Sequence, residues 1–196
     1  AAKDEELLGM MAKAGCKVAC IGFEAVNSKT LKAYDKKQTI EDIIHAIKSF
    51  HKKKIKIHGM FVLGGDDDNE KTVWDTVRFA IRHKIDTIQM TILTPFPGTR
   101  VHQELEKQKR IFDRDWSLYD GQHIVFTPKL LSARALQANV IKAYTRFYSL
   151  YNSFVLFIRL HFRNASFRLM GYVIVKDWMR YNRSMRWLAQ ESSSSI

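Results

Sequence analysis

The 196-residue sequence predicts an α/β fold built on a parallel sheet. Three observations lead there. Short apolar runs of strand length alternate with segments whose apolar residues recur at helical spacing. Each run is separated from the next by enough chain for a right-handed crossover. Each run also ends in Gly, Pro, Asn or acidic residues, as a strand does when it passes into a loop.

The elements run in order along the chain. Asp4 can cap a first helix that runs to about Ala14 and closes at Gly15. KVACIGF, Lys17 to Phe23, reads as a short buried strand, and NSKTLKAYDKK as a short helix capped by Asn27 or Ser28. Thr39 opens the next helix, with Asp42 completing an imperfect capping box. Ile40, Ile43, Ile44, Ile47 and Phe50 supply its apolar face. The second strand runs from Ile55 to about Leu63 and stops at Gly64-Gly65. A helix over Glu70 to His83 turns Val73, Trp74, Val77 and Ala80 inward. The third strand, Asp86 to Leu93, enters TPFPGT directly and leads to a further helix. After Arg110 the pattern changes to turn residues and one short strand, Gln122 to Phe126. Ser132 then caps a long helix reaching about Phe162, a last helix covers Phe167 to Leu188, and ESSSSI frays.

Composition narrows the class. With 46% hydrophobic residues the chain can bury a globular core, which excludes a disordered, collagenous or disulfide-scaffold protein. Two cysteines suit a reducing, cytoplasmic compartment. The N-terminus reads as a charged amphipathic helix rather than a signal peptide. The longest apolar stretch, Tyr144 to Phe162, is broken by Arg146, Asn152 and Arg159, so no membrane span is expected. The net charge of +12 is uneven: from Lys129 onward eleven Lys or Arg stand against Asp177 and Glu191. A basic, aromatic-rich tail can meet nucleic acid, an anionic membrane surface with peripheral attachment, or an acidic partner, but the plainer reading is a solvated basic helix face over a buried aromatic face.

Three parallel strands cannot close a barrel, since a complete (β/α)₈ barrel takes roughly 250 residues. The first strand is left as an unpaired edge, so the sequence reads as part of something larger. Chemistry in such folds gathers where strands end. The first end is Gly22 to Asn27, with the carboxylate of Glu24. The second is Phe61 to Asp68, where two glycines let backbone approach a ligand. The third is Thr94 to Thr99, whose prolines leave carbonyls unpaired and suited to a flat heterocycle. Each has a plain structural alternative. Glu24 can cap the next helix, Asp66 to Asp68 can cap the helix at Glu70, and PFPGT can be only a turn.

CKVACIGFEAVNSKTLKAYDKKQT, IHGMFVLGGDDD and TIQMTILTPFPGT, in that order, closely resemble the later barrel strands of radical S-adenosylmethionine (SAM) enzymes. They are similar in particular to the group that often carries an N-terminal cobalamin-binding domain. DWSLYDGQHIVFTP and the helix ending AYTRFYS resemble the post-barrel region of that group. The resemblance implies the C-terminal part of a partial (β/α)₆ TIM-type barrel over residues 1–110, a post-barrel segment over 111–131 and a basic helical extension over 132–196. Glu24 would face the SAM ribose or methionyl end. Val62, Gly64 and Asp66 or Asp67 would lie near the adenine, although the family's leading Gly is offset here and Asp stands where Glu is common. Leu93, Thr94 and Pro95 would present backbone to the adenine. Pro97, Gly98 and Thr99 would shape the substrate side.

The resemblance also implies a [4Fe–4S] cluster held by a CxxxCxxC loop, and this chain lacks that loop. Cys16 and Cys20 have CxxxC spacing, but Phe23 stands at the third position. Four residues apart on a strand, the pair is separated by roughly 13 Å. They read as inert buried thiols, with no metal site in the chain. The implied intact protein cleaves SAM reductively to a 5′-deoxyadenosyl radical, then abstracts hydrogen or carries out cobalamin-dependent methyl transfer. Its partners would be the missing N-terminal part of its own protein, a reductant protein and a small-molecule or lipid-like substrate. Two rivals remain. One is a non-catalytic half-barrel binding module whose basic tail engages nucleic acid or anionic membrane. The other is an ordinary TIM-barrel lyase or aldolase with Glu24 as base, which would need a catalytic Lys or metal set that the strand ends lack.

His58 can point into the barrel or be satisfied in the core. Trp116, Tyr119 and His123 can close over substrate or pack the post-barrel segment. Arg159, Arg163 and Arg168 can bind phosphate or stay solvated.

Overall fold

The computed structural model describes residues 2–33, 35–160 and 162–181. The chain opens with α1 (Glu5–Lys13), β1 (Val18–Glu24), α2 (Ser28–Ala33) and α3 (Ile40–Lys52). It continues through β2 (Lys56–Leu63), α4 (Glu70–Arg82), β3 (Thr87–Ile92) and α5 (Arg100–Lys107). A short 3-10 turn, Trp116–Leu118, precedes α6 (Ala133–Phe147), α7 (Leu150–Ile158) and α8 (Phe162–Tyr181).

Capping chemistry explains where the helices start. Asp4 accepts from the Leu7 N–H at 2.8 Å. Thr39 and Asp42 form a complete reciprocal capping box, as do Asn69 and Thr72 at α4. Asn69, not the preceding acids, therefore opens α4.

The three strands form one parallel sheet in the order β1-β2-β3, the partial TIM-type barrel architecture expected from the sequence. The pleat sorts residues by face. Phe23, Ile57, Phe61, Leu63, Ile88, Met90 and Ile92 are buried on the side that also receives Ile43, Ile47 and Phe50 of α3 and Val73, Val77 and Ala80 of α4. Each such side chain contributes on the order of 1.5–3 kcal/mol of transfer free energy. The opposite, open face carries Cys20, Gly22, His58, Met60, Val62, Thr87, Gln89 and Thr91, none of them buried. Among the described residues nothing pairs with the outer edge of β1.

A buried carboxylate ties the bottom of the sheet. Asp86 accepts from the Ile57 N–H at 2.9 Å and lies 3.0 Å from the His51 ring nitrogen. Burial alone would push its carboxyl up, but these partners outweigh it and hold it below the usual range.

Two expectations are corrected. Gln122 to Phe126 is not a strand; its ladder shrinks to one antiparallel bridge, Ile111 to Phe126. Side chains occupy the backbone instead: Asp120 accepts from the Gln122 and His123 N–H groups, and Gln137 pairs with the Ile124 N–H and the Gln122 carbonyl. Nor is the helix from Ser132 continuous to Phe162. Ser149 adopts extended backbone and caps α7, while Asn152 donates to the Arg146 and Phe147 carbonyls and so closes α6. The last helix begins at Phe162, and its expected course beyond Tyr181 lies outside the described residues.

The chain divides into two compact units, Ala1–Ala143 and Tyr144–Ile196. Most of α6 thus belongs with the sheet. In the second unit Arg168 is buried, lies 3.2 Å from the centroid of the Phe147 ring and donates to the Phe147 carbonyl at 2.9 Å.

Candidate functional site at the strand ends

At the end of β1 the register shifts between Gly22 and Glu24, a bulge opposite Met60 and Phe61. Glu24 takes a left-handed backbone (φ 64°), unusual for a residue with a side chain. That conformation folds its carboxylate back over Gly22, where a Cβ would lie 2.6 Å from Oε1. The missing side chain of Gly22 is thus the notch that receives Glu24. Lys36 reaches Oε1 at 3.0 Å, and Gln38 donates to the Phe23 carbonyl at 3.0 Å. Glu24 does not cap α2; Asn27 does, accepting from the Thr30 N–H at 2.8 Å. A partly exposed carboxylate is therefore left at the rim of the open face.

The second strand end is built around Asp68 rather than Asp66 or Asp67. The buried Asp68 accepts from the Gly64 and Gly65 N–H groups at 2.9 and 3.0 Å and from the Thr30 hydroxyl at 3.1 Å. Burial pushes its carboxyl up against the pull of those donors. Gly64 has φ +104°, and a Cβ there would meet Leu136 Cδ2 at 2.9 Å and Phe126 at 3.3 Å. Protein atoms, not a ligand, thus fill the space that this glycine leaves. Val62 lies on the open face. Asp66 points elsewhere, pairing with Arg110 at 2.8 Å and Lys129 at 2.5 Å. Burial would raise its carboxyl, but the two cations outweigh that and lower it.

At the third end, the Leu93 N–H donates to the Leu63 carbonyl at 2.8 Å and carries the sheet past its last strand residue. The Thr94 hydroxyl returns to the Ile92 carbonyl at 3.0 Å, and Pro95 is buried. Pro97, Gly98 and Thr99 are exposed. Thr99 caps α5, accepting from the His102 N–H at 3.2 Å, and donates to the Phe96 carbonyl. Its side chain is structural here.

On the open face His58 Nδ1 lies 2.8 Å from the Thr87 hydroxyl and the ring stays half-buried. It is held by a neighbour and still faces the opening. Tyr119 and His123 are buried, with the Tyr119 hydroxyl donating to the Asp113 carbonyl and His123 Nδ1 beside Asp120. Those two pack the post-barrel segment, whereas Trp116 is exposed over Tyr119. An open groove of about 720 Å³ runs along the flank of β1, lined among others by Ala19, Ile21, Phe23, His45 and Phe50.

The cysteines require a correction: they are not buried. Cys20 is exposed on the open face and Cys16 is half-exposed. Among the described residues no group of three His, Cys, Asp or Glu could hold a metal ion. The thiols present do not fit a three-thiolate cluster site.

Sequence alone did not point to Lys36 and Gln38 beside Glu24, and it left Asp68 as only one of three acids. The GG-DDD spacing could have singled Asp68 out, because an acid three or four residues after a glycine pair can turn back onto their N–H groups.

Together these features define a class: a parallel α/β partial barrel whose open face ends in a bulged carboxylate and two backbone-rich turns. Comparison with known proteins narrows it. The family model described as the radical SAM superfamily matches residues 2–80, and this part of the chain belongs to that superfamily. The chain is 36% identical over 138 residues to a bacteriochlorophyllide d C-12(1)-methyltransferase of Chlorobaculum tepidum, covering 70% of this chain and 30% of that protein. It is 31% identical over 146 residues to an anaerobic magnesium-protoporphyrin IX monomethyl ester cyclase of Cereibacter sphaeroides, covering 74% and 24%. It is 26% identical over 149 residues to a bacteriochlorophyllide d C-8(2)-methyltransferase of Chlorobaculum tepidum, covering 75% and 33%. The chain thus spans about a quarter to a third of the curated relatives it matches.

Proposed function

We propose that this chain supplies the SAM-facing strand ends of a radical SAM enzyme that modifies an unreactive carbon, with methyl transfer as the preferred reaction. The observation that carries the proposal is the Gly22 notch with Glu24 folded into it at the rim of the open face. A carboxylate there can accept hydrogen bonds from a ribose hydroxyl or an amino group. The backbone of Leu93 to Pro95 lies at the end of β3 and would border the adenine, and Val62 offers it an apolar contact. On this reading Asp66 stabilises the surface through Arg110 and Lys129, and Gly64 and Asp68 shape the loop. Pro97, Gly98 and Thr99 would border the substrate.

The chemistry supplied when cluster and SAM are bound is reductive cleavage of SAM to methionine and a 5′-deoxyadenosyl radical. This chain's thiols do not fit the cluster, so its ligands must come from other residues of the intact protein. Methyl transfer is preferred because two of the relatives described are named methyltransferases. Cobalamin would serve that branch, and no residue here is assigned to it. The substrate class supported is a small molecule or lipid-like compound with a large apolar body, as suggested by the tetrapyrroles in the relatives' names.

The test uses the full-length, cluster-reconstituted protein under anaerobic conditions with SAM and a one-electron reductant. Formation of 5′-deoxyadenosine or S-adenosylhomocysteine, with much weaker SAM binding in Glu24→Gln, is the expected result. Wild-type SAM affinity in that variant would sink the assignment of Glu24.

A further inference from the structure

The hairpin of α7 and α8 leaves much of its apolar surface exposed. Leu150, Tyr151, Phe154, Phe157 and Ile158 are all exposed, and at 3.6 residues per turn they fall within an arc of about 120° on α7. Leu160 comes next in the turn, and Phe162, Leu169, Met170, Val173 and Ile174 are exposed on α8. Among the hairpin's described residues, the buried positions are Ser153, Ala165 and Arg168. Ser153 donates to the Ser149 carbonyl at 3.1 Å, and Arg168 Nη1 donates to the Phe147 carbonyl while its guanidinium lies over the Phe147 ring. At Gly171 a Cβ would run into the Tyr148 ring, so α8 is pressed close on that side. The large apolar side chains of both helices are therefore left without cover among the described residues.

An exposed apolar band of this extent marks an interaction surface. Charge indicates what it meets. Arg159 and Arg163 stand exposed at the α7–α8 turn, and Lys176 and Arg180 stand exposed towards the far end of α8. Asp177, already paired with Arg180, is the one acid among the described residues of this unit. Aromatic and aliphatic residues between cations describe an interfacial helix that sinks its apolar face to the acyl boundary and leaves its cations among lipid phosphates. No helix among the described residues is long and apolar enough to cross a membrane, so the hairpin would lie on the surface. A second copy is disfavoured because a two-fold pairing would bring like charges together. Nucleic acid is disfavoured because Leu150, Ile158, Leu160, Leu169, Val173 and Ile174 of this band offer bases no ring to stack on.

We propose that α7 and α8 dock the protein on an anionic lipid surface through this band. The inference goes beyond the radical chemistry and is independent of it, since vesicle binding needs neither cluster nor SAM.

The test is co-sedimentation of the full-length protein with phosphatidylcholine vesicles, with and without phosphatidylglycerol. Binding is expected with phosphatidylglycerol, and it should fall as salt rises. Phe154→Ser/Phe157→Ser should weaken it at least about tenfold, and Arg159→Glu/Arg163→Glu should also weaken it. Both pairs are exposed, so circular dichroism should show an unchanged fold. Three outcomes overturn the proposal. They are absence of binding to anionic vesicles, equal binding to both vesicle types, and a dimer in sedimentation equilibrium that the phenylalanine pair dissolves. The last would assign the face to a second copy.

Discussion

The carboxylate of Glu24 occupies the space that a side chain on Gly22 would fill, with Oε1 only 2.6 Å from the position of that absent Cβ. The arrangement depends on a bulge and a left-handed Glu24. Gly22→Ala would push the carboxylate out of its notch while leaving its charge in place. Because the clash is with the far end of a flexible side chain, stability should change little. SAM affinity of the reconstituted full-length protein should fall on the order of tenfold, as expected for one charged hydrogen bond. Glu24→Gln should match it, and Lys36→Ala should separate the effect of the 3.0 Å ion pair. Isothermal titration with SAM reads all three.

Two buried carboxylates should bend the pH profile of stability in opposite directions. The folded pKa of Asp86 lies below its ordinary 3.8. Its contribution is therefore present above that value and lost as pH falls through the folded pKa. The folded pKa of Asp68 lies above 3.8. Its contribution is present below that value and is lost as pH rises through the folded pKa. Urea unfolding across the acid range should show a shallower low-pH loss in Asp86→Asn. Asp68→Asn should remove the decline on the upper side. Identical profiles in both variants would contradict the two environments.

Asp68→Ala should also be costly at neutral pH. It would leave the Gly64 and Gly65 N–H groups without their acceptor in a buried loop. Two such donors are worth about 2–4 kcal/mol, read from the urea midpoint.

Glycine substitutions should divide by site. Gly64→Ala meets both φ +104° and Leu136 at 2.9 Å and should destabilise by about 2–4 kcal/mol. Gly9 lies inside α1 with nothing within 4 Å of its Cβ position. Gly9→Ala should stabilise by about 0.5–1 kcal/mol. Thermal unfolding of the two variants side by side checks both signs.

Arg168→Ala should loosen the second unit by about 2–4 kcal/mol, because it removes a buried charged donor to the Phe147 carbonyl together with a cation–π stack. Arg168→Lys should restore little, since a lysine ammonium has no planar face to lay on the ring. Limited proteolysis between α7 and α8 would report the loosening.

Much of the fold was legible in local chemistry. Asp4, Thr39 and Ser132 announced their helices because a cap needs only three or four consecutive residues. The parallel strands came from apolar runs spaced by crossovers. Less of the site could be read. Asp66, Asp67 and Asp68 are chemically equivalent in sequence, and the chain distinguishes them only when Thr30 and the Gly64–Gly65 turn converge on one of them.

The sequence by itself determined the α/β class and the radical SAM likeness, because periodicity and motif order are properties of neighbours along the chain. Only tertiary structure decided which way side chains point once distant segments meet. It turned Glu24 over Gly22, gave Asp66 to Arg110 and Lys129, exposed Cys20, and replaced an expected strand at Gln122 to Phe126 with bonds to Asp120 and Gln137. The physical reason is the same in each case. A buried or strained group is satisfied by whichever partner the fold brings within hydrogen-bond reach, and that partner can lie dozens of residues away.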